Sequence, residues 1–120
     1  MAATLPKAEH LAGRTAIAAL MAGGHWEHTQ HLRCCYLPGN GLEFNRIMVS
    51  VPKRFFKRAV RRNLLKRRMR EAYRLQKDLL PVNEKAGGTD LMFVFNAPEP
   101  EPFSVISEEM RVLLCKISAK

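Results

Sequence analysis

The 120-residue sequence has few cysteines, few acidic residues and no long apolar run, and each shortage excludes a class of protein. Of its three cysteines, Cys34 and Cys35 are adjacent, and no Cys-x-x-Cys pair occurs, so neither a zinc site nor a disulfide framework is predicted. The apolar stretch Ala16 to Ala22 is too short to span a bilayer, and the acidic Glu9 before it is wrong for a signal peptide. We therefore expect a cytoplasmic protein with buried, reduced thiols and no membrane partner.

The sequence also lacks the patterns of a self-sufficient catalyst. His25, His28 and His31 are evenly spaced, but in a strand His28 would point away from the other two, and no carboxylate cluster supports them. No glycine-rich phosphate loop is present, and the acids are too scattered for two-metal nuclease chemistry. We predict no catalytic residue and no metal ligand in this chain, which indicates a binding protein.

Positive charge is concentrated in one segment. The formal net charge is +9, yet residues 53–77 contain twelve basic residues and only one acid, Glu71, so the remainder of the chain is slightly acidic. Charge that serves solubility is usually scattered and mixed in sign, whereas concentrated like charge is typical of proteins that bind a polyanion. The arginine-rich segment has no Trp or Phe on its apolar face, which favours nucleic acid over a membrane surface.

Residues 59–80 contain neither glycine nor proline and precede Pro81, which predicts a long helix. Its apolar face would comprise Leu65, Met69, Ala72, Tyr73, Leu79 and Leu80. Beside that face the helical spacing aligns a ridge of cationic and amide donors without an acid: Asn63, Lys66, Arg67, Arg70 and Arg74, extended by Lys77. Arg61 and Arg68 would lie on the opposite flank. A merely solvated helix face would interleave glutamate with lysine, which this ridge does not.

Around this helix the pattern predicts a single domain, residues 1–120, of the α+β class. The predicted elements are a helix at 11–21, a strand at 26–37, a turn at 38–41, a strand at 42–51, the basic helix, a strand at 90–95 and a helix at 107–118. We expect the first two strands to form an antiparallel hairpin, and the continuously apolar strand 90–95 to lie inside the sheet. With one further strand before the basic helix, the order α-β-β-(β)-α-β-α gives a small, mixed, four-stranded type of sheet packed by helices.

The ordered set Arg62-Asn63, Lys66-Arg67 and Arg70-Glu71 resembles the signature helix of the bacterial ribonuclease P protein family. The preceding residues 49–54 are similar to the Val-Ser-Lys-Lys-like strand end of that family. Leu64 departs from the signature by replacing its second arginine, and Phe55-Phe56 replaces a small, glycine-containing turn. The similarity extends over nearly the whole chain.

The resemblance implies the protein component of ribonuclease P, the non-catalytic subunit of a ribonucleoprotein endonuclease that removes the 5′ leader of precursor tRNA. Its expected partners are the ribonuclease P RNA subunit and precursor tRNA, with no obligate protein partner. The Mg²⁺-dependent chemistry would belong to the RNA subunit, not to protein ligands. The resemblance also implies a left-handed crossover for the β-α-β unit that contains the basic helix, against the usual right-handed rule.

Carried over by position or added on charge, the expected RNA-binding residues are Lys53, Arg54, Arg58, Arg61, Arg62, Asn63, Lys66, Arg67, Arg68, Arg70 and Arg74. The expected leader cleft comprises Ile17, Met21, Cys34 and Tyr36, with Ile17 and Met21 where the family has aromatic residues. Ordinary core packing is an equal alternative for Ile17, Met21 and Tyr36. Two other functions stay open: a ribosomal or other structural RNA-binding protein, and a metal-dependent nuclease acting alone.

Overall fold

The computed structural model describes residues 5–120 and shows an α+β fold with a four-stranded mixed sheet. The elements in chain order are a short 3₁₀ helix Lys7–Glu9, α1 (Arg14–Gly23), β1 (His25–His28), β2 (Leu32–Pro38), β3 (Arg46–Ser50), α2 (Ala59–Gln76), a 3₁₀ turn Lys77–Leu79, β4 (Thr89–Phe95) and α3 (Phe103–Ser118). The predicted order of helices and strands is confirmed, including the additional strand before the basic helix.

The sheet has the strand order β1-β2-β4-β3, with β2 antiparallel to both neighbours and β3 parallel to β4. The central β4 is buried along almost its whole length, which confirms the interior position predicted from its continuous apolar run. Helix α2 connects β3 to its parallel neighbour β4 and so completes the predicted β-α-β unit. The hand of that crossover stays a prediction.

The predicted antiparallel hairpin of residues 26–37 and 42–51 is wrong in two respects. Residues 25–38 form two strands instead of one, separated at Thr29–His31, and β4 lies between β2 and β3. The loop 39–45 is held by backbone hydrogen bonds to residues 86–88, such as Asn40 N–H to Gly88 O at 2.9 Å and Gly88 N–H to Leu42 O at 2.9 Å. The Asn40 side chain adds to them, because its Nδ2 donates to Phe44 O at 3.2 Å and its Oδ1 accepts the Leu42 N–H at 2.8 Å. The turn at Thr29–His31 contains neither glycine nor proline, so no local signal announced it.

The helices begin and end a few residues away from the predicted bounds. Helix α1 is shifted toward the C-terminus, α3 begins earlier than predicted, at Phe103, and α2 gives way to 3₁₀ geometry at Lys77. Leu79, predicted on the apolar face, is 38% exposed because the helix has already ended there. Among residues 5–120, no helix combines the length and the apolar character that crossing a membrane requires.

The sheet separates two hydrophobic cores. Helices α2 and α3 cover one face, where the even-numbered residues of β2, including Cys34 and Tyr36, pack with β3, β4 and the helices. The short helix α1 covers the other face, where Leu20 packs against Cys35 and Met92. Alternation along β2 therefore sends adjacent side chains into different cores.

A polar cluster fixes the turn between β1 and β2 to α3. The Glu109 carboxylate accepts the Thr29 hydroxyl and the His31 main-chain N–H, at 2.5 and 2.7 Å, and lies 2.5 Å from His31 Nδ1. On the other side of the ring, His31 Nε2 is 2.8 Å from Glu101 Oε1. Burial acts to raise the pKa of Glu109, but these hydrogen bonds outweigh it and leave the pKa below its ordinary value.

Candidate nucleic-acid interface

Helix α2 is anchored by one apolar stripe and presents its other sides to solvent. Leu65, Met69, Ala72 and Tyr73 are all at most 1% exposed and pack into the larger core. Burial of each large side chain contributes about 1.5–3 kcal/mol, so this stripe fixes the rotation of the helix about its axis. The predicted apolar face is therefore confirmed over these four positions, and the donors beside it are held at fixed places on the surface.

The central part of the predicted ridge is not masked by acids. Four side chains of the ridge have no ion-pair or hydrogen-bond partner within residues 5–120: Asn63, Lys66, Arg67 and Arg70. Lys66 is half-buried and the other three are exposed. In this arrangement neighbouring cations repel each other slightly, and a bound phosphate backbone would remove that repulsion. We refer to these four residues as the donor ridge.

In the part of the chain that the structure describes, acidic partners of the ridge lie at its C-terminal end. Arg74 pairs with Glu71, with Nε 3.0 Å from Oε2, and Lys77 lies 3.1 Å from Glu9 on the N-terminal segment. The hydrogen bond from Arg74 holds the pKa of the Glu71 carboxyl below its ordinary value, so the pair stays ionised at neutral pH. Arg74 of the predicted ridge and its extension Lys77 thus contribute less unpaired charge than the sequence suggested.

Two predicted RNA-binding arginines are engaged with the protein's own backbone. Arg62 Nη1 donates to Phe56 O at 2.7 Å and to Lys57 O at 2.8 Å, which closes the loop before α2. Arg68, on the opposite flank as predicted, donates Nη1 to Glu101 O at 2.6 Å. Both guanidinium groups therefore position loops beside the helix.

The loop between β3 and α2 adds exposed positive charge at the N-terminal end of the helix. Lys53, Arg54 and Arg58 are exposed, and the Arg54 guanidinium carbon lies 4.7 Å from the centre of the Phe55 ring. Arg61 is also exposed and borders a shallow pocket that it shares with Arg68. The predicted cationic residues of the loop are thus on the surface, next to the start of α2.

The predicted leader cleft is not assembled as expected. Ile17 and Met21 lie on α1, whereas Cys34 and Tyr36 point to the opposite face of the sheet and are buried at 0% and 6% exposure. The assumed face was wrong because alternation shows which residues share a face but not which face a helix leaves accessible.

Burial raises the pKa of the Cys34 thiol well above its ordinary value, as expected of a structural thiol. Cys115, by contrast, is exposed and corrects the expectation that all thiols are buried.

The face that α1 only partly covers is lined by the odd-numbered residues of β2. In the strand register Arg33 lies opposite Val94, which in turn lies beside Ser50, and none of these three residues is buried. We call this row the open strip. It runs across the end of the sheet where β3 leads into Lys53 and the basic helix. At the β3 edge, a pocket of about 130 Å³ is lined by Arg70 together with Met48 of the α1 side, so the donor ridge and this face meet there.

The sequence analysis missed two exposed residues at the other end of the open strip. Trp26 on β1 is 42% exposed, and the Arg33 guanidinium carbon lies 4.6 Å from the centre of its ring. The available signal was that Trp26 is the chain's single tryptophan and lies in a segment of alternating polarity. The prediction placed Trp26 at the start of one long strand, 26–37, whereas it lies on the short edge strand β1.

No side-chain cluster suited to a metal ion is found among residues 5–120. His25 packs near the Tyr36 ring at 5.6 Å between centroids, His28 is exposed, and His31 is held between Glu101 and Glu109. The three histidines therefore do not converge on one point. The chemistry of the site is that of donors and cations offered to an anionic ligand.

The fold and surface define a small α+β domain that presents an unmasked cationic helix beside an accessible sheet face, the arrangement expected of a protein that binds a polyanion. The sequence profile of the Ribonuclease P family matches residues 5–118. The chain belongs to the ribonuclease P protein family. Membership makes it a component of an endoribonuclease that functions in tRNA processing.

Relatives and solved structures agree with this assignment. The chain is 33% identical to the ribonuclease P protein component of Porphyromonas gingivalis strain W83 over 118 residues, covering 95% of this chain and 86% of that protein. It is 35% identical over 95 residues to the component from Ralstonia pickettii, covering 79% of this chain and 63% of that protein. The structure of the Thermotoga maritima protein matches with a TM-score of 0.75 at 25% identity, over 90% of this chain and 96% of that one. The Staphylococcus aureus protein shares the fold, with a TM-score of 0.75 at 18% identity over 93% and 96% of the two chains.

Proposed function

We propose that this chain binds the catalytic RNA of ribonuclease P through the donor ridge and assists removal of the 5′ leader from precursor tRNA. The observation that carries the proposal is that Asn63, Lys66, Arg67 and Arg70 are exposed or half-buried without protein partners. Arginine suits bidentate contacts with phosphate, and Asn63 can donate to or accept from a sugar or base edge. The exposed loop residues Lys53, Arg54 and Arg58 extend the same cationic surface.

The proposed site for the single-stranded leader is the α1 side of the sheet. The open strip begins beside the cationic loop and passes Val94, which offers apolar contact, before it ends at Arg33. This supports a leader path that starts next to the RNA-bound helix and leaves across the sheet. Ile17 and Met21 lie on α1, the helix that packs on this face through Leu20, and would supply apolar contacts where the family has aromatic residues.

In this proposal the hydrolytic chemistry belongs to the RNA subunit and its Mg²⁺ ions. The protein's part is electrostatic, because a cationic ridge that neutralises phosphates lets two polyanions approach each other. The proposed location of the assembly is the cytoplasm, and no further protein subunit is invoked.

One assay tests the proposal against its alternatives. Precursor tRNA and Mg²⁺ are incubated with the protein alone, with the catalytic RNA alone, and with both, at low and at physiological salt. We expect no cleavage by the protein alone and a gain from mixing that is largest at physiological salt. Cleavage by the protein alone would identify a nuclease acting by itself. Binding to the RNA without any gain in cleavage would identify a structural RNA-binding protein.

A further inference from the structure

The single tryptophan of the chain contacts Arg33 and is still partly exposed to solvent. Arg33 lies over the Trp26 ring at 4.6 Å, yet Trp26 keeps 42% of its surface exposed. Tryptophan is highly buried on average, so an indole that is exposed to this extent is available for contact with a ligand. Arg33 is itself exposed, so its guanidinium donors are not used up by the protein.

The strand register fixes where this pair lies. Trp26 is opposite Cys35, which belongs to the core under α1, so the indole is on the α1 side of the sheet. Strand β1 pairs with β2 alone and is an edge strand, so no other strand formed by residues 5–120 lies beyond Trp26. In the register His28 is the residue opposite Arg33, so Trp26 lies diagonally across from Arg33, on the edge strand that is three strand spacings or roughly 14 Å from β3.

We propose that Trp26 and Arg33 form a stacking site for an unpaired nucleobase of single-stranded RNA. The identification of that RNA with the tRNA leader rests on the function proposed above, whereas the stacking site itself does not. A base stacks on the accessible part of the indole, and the Arg33 guanidinium, already in a cation–π contact, donates to the adjacent phosphate. Because every base has a π face, the site accepts any sequence, with purines favoured by their larger ring area.

The surroundings of the pair favour an anionic ligand. The acid of β1, Glu27, lies opposite Cys34 in the register and so points to the other face of the sheet. Its carboxylate is 2.8 Å from Lys120 Nζ, and that hydrogen bond lowers the pKa of Glu27, so its charge is balanced. Lys116 Nζ also lies nearby, where it donates to His28 O at 3.3 Å. Phosphates approaching Trp26 therefore meet no unpaired carboxylate on this strand.

Because the chain has one tryptophan, its intrinsic fluorescence reports on this site directly. Titration of the wild-type protein with single-stranded oligoadenylate should quench the emission, since a stacked adenine quenches indole. In parallel, the affinity of labelled oligoadenylate is measured by anisotropy for Trp26→Leu, Trp26→Phe and Arg33→Gln. We expect Trp26→Leu to weaken binding roughly 5- to 150-fold, the range for loss of one base–aromatic stack. Trp26→Phe should retain most of the affinity, and Arg33→Gln should lower both the affinity and its salt dependence.

The matched control is Leu75→Ala, which removes another exposed large apolar side chain, on α2 and outside the donor ridge. It should leave oligoadenylate binding unchanged. Absence of quenching in the wild type, or equal affinity of wild type and Trp26→Leu, would overturn the proposal and leave the pair as packing of an edge strand. The wild-type quenching needs no variant, so a variant that fails to fold does not remove the test.

Failure of this inference is distinguishable from failure of the proposed function. If oligoadenylate quenches Trp26 but the protein gives no gain in RNA-catalysed cleavage, the stacking site is supported and the tRNA leader is rejected as its ligand. A gain in cleavage that is identical for wild type and Trp26→Leu, with no quenching, would reject the stacking site and retain the proposed function.

Discussion

Arg62 donates to the main-chain carbonyl of Phe56, six residues earlier, at 2.7 Å, and thereby ties the basic helix to the loop that precedes it. The same nitrogen donates to Lys57 O at 2.8 Å, so two carbonyls of the loop depend on one guanidinium. The N-cap residue Arg58 makes no side-chain hydrogen bond to the first turn of α2. The hydrogen bonds from Arg62 therefore fix the preceding loop at the N-terminus of the helix. A residue of the signature that looks like an RNA ligand in the sequence is thus a structural element of the helix start.

Arg62→Ala should lower the free energy of unfolding by about 1–3 kcal/mol, because two carbonyls lose a charged donor. Urea unfolding followed by circular dichroism measures this change. Arg62→Lys should recover only part of it, since an ammonium cannot reproduce the fork geometry of a guanidinium. Unchanged stability together with a loss of RNA affinity as large as that of Arg67→Ala would instead place Arg62 on the RNA.

Arg67→Ala and Arg70→Ala should each weaken binding of the catalytic RNA. Each should also reduce the slope of log affinity against log salt by roughly 0.7–0.9, the value for one neutralised phosphate. Filter binding or anisotropy across a salt series measures the slope. The control is Arg111→Ala on α3, an exposed arginine that pairs with Glu108 on its own helix. Equal slopes for all three variants and the wild type would remove the donor ridge from the interface.

Tyr36→Ala should destabilise the fold by about 3–5 kcal/mol, because its ring is 6% exposed in the larger core. Correctly folded Tyr36→Phe should bind precursor tRNA and mature tRNA with the wild-type ratio of affinities. Thermal unfolding and competitive binding of the two RNAs measure these effects. A selective loss of precursor binding in Tyr36→Phe would return Tyr36 to the leader site and contradict its buried position.

Glu109→Gln should remove a contribution to stability that depends on pH. The folded-state pKa of Glu109 is lowered, so its stabilisation is complete above the ordinary value of 4.5 and is lost as the pH falls through the lowered folded value. We expect a deficit of about 1–3 kcal/mol at neutral pH that shrinks as the pH falls below 4.5. Urea unfolding across a pH series measures it.

The control for that series is Glu108→Gln, since Glu108 is exposed and its pairing with Arg111 is screened by salt. In high salt this variant should follow the wild type at every pH. A deficit in Glu109→Gln that stays constant with pH would show that the cluster with Thr29 and His31 acts through shape and not through charge.

The elements governed by local periodicity were predictable from the sequence. The stripe from Leu65 to Tyr73 follows helical spacing, and the continuous apolar run of β4 indicates a strand buried on both faces. The donor ridge follows from the same spacing, which is why its central residues emerge together on the surface. Family resemblance then supplied the function that spacing alone leaves open.

The features set by distant contacts were not predictable. Strand β4 inserts between β2 and β3 although it follows them by a whole helix, and no short-range pattern encodes that choice. The turn at Thr29–His31 depends on Glu109, about 80 residues away in the chain. Whether Tyr36 is accessible depends on which face of the sheet α1 covers. Whether the Arg68 guanidinium is free depends on the Glu101 carbonyl, which lies in a distant loop and accepts its hydrogen bond.

The segment before α1 lies along the exposed edge of β3, where Leu11 N–H donates to Ile47 O at 2.6 Å and His10 forms a bridge with Ile47. An uncovered sheet margin is a template on which a second molecule can add its own strand. The segment occupies part of that margin and also contributes the buried Leu11 to the smaller core. Deleting residues 5–13 should therefore lower stability and expose the β3 edge to pairing with another strand, which size-exclusion chromatography at increasing concentration would detect.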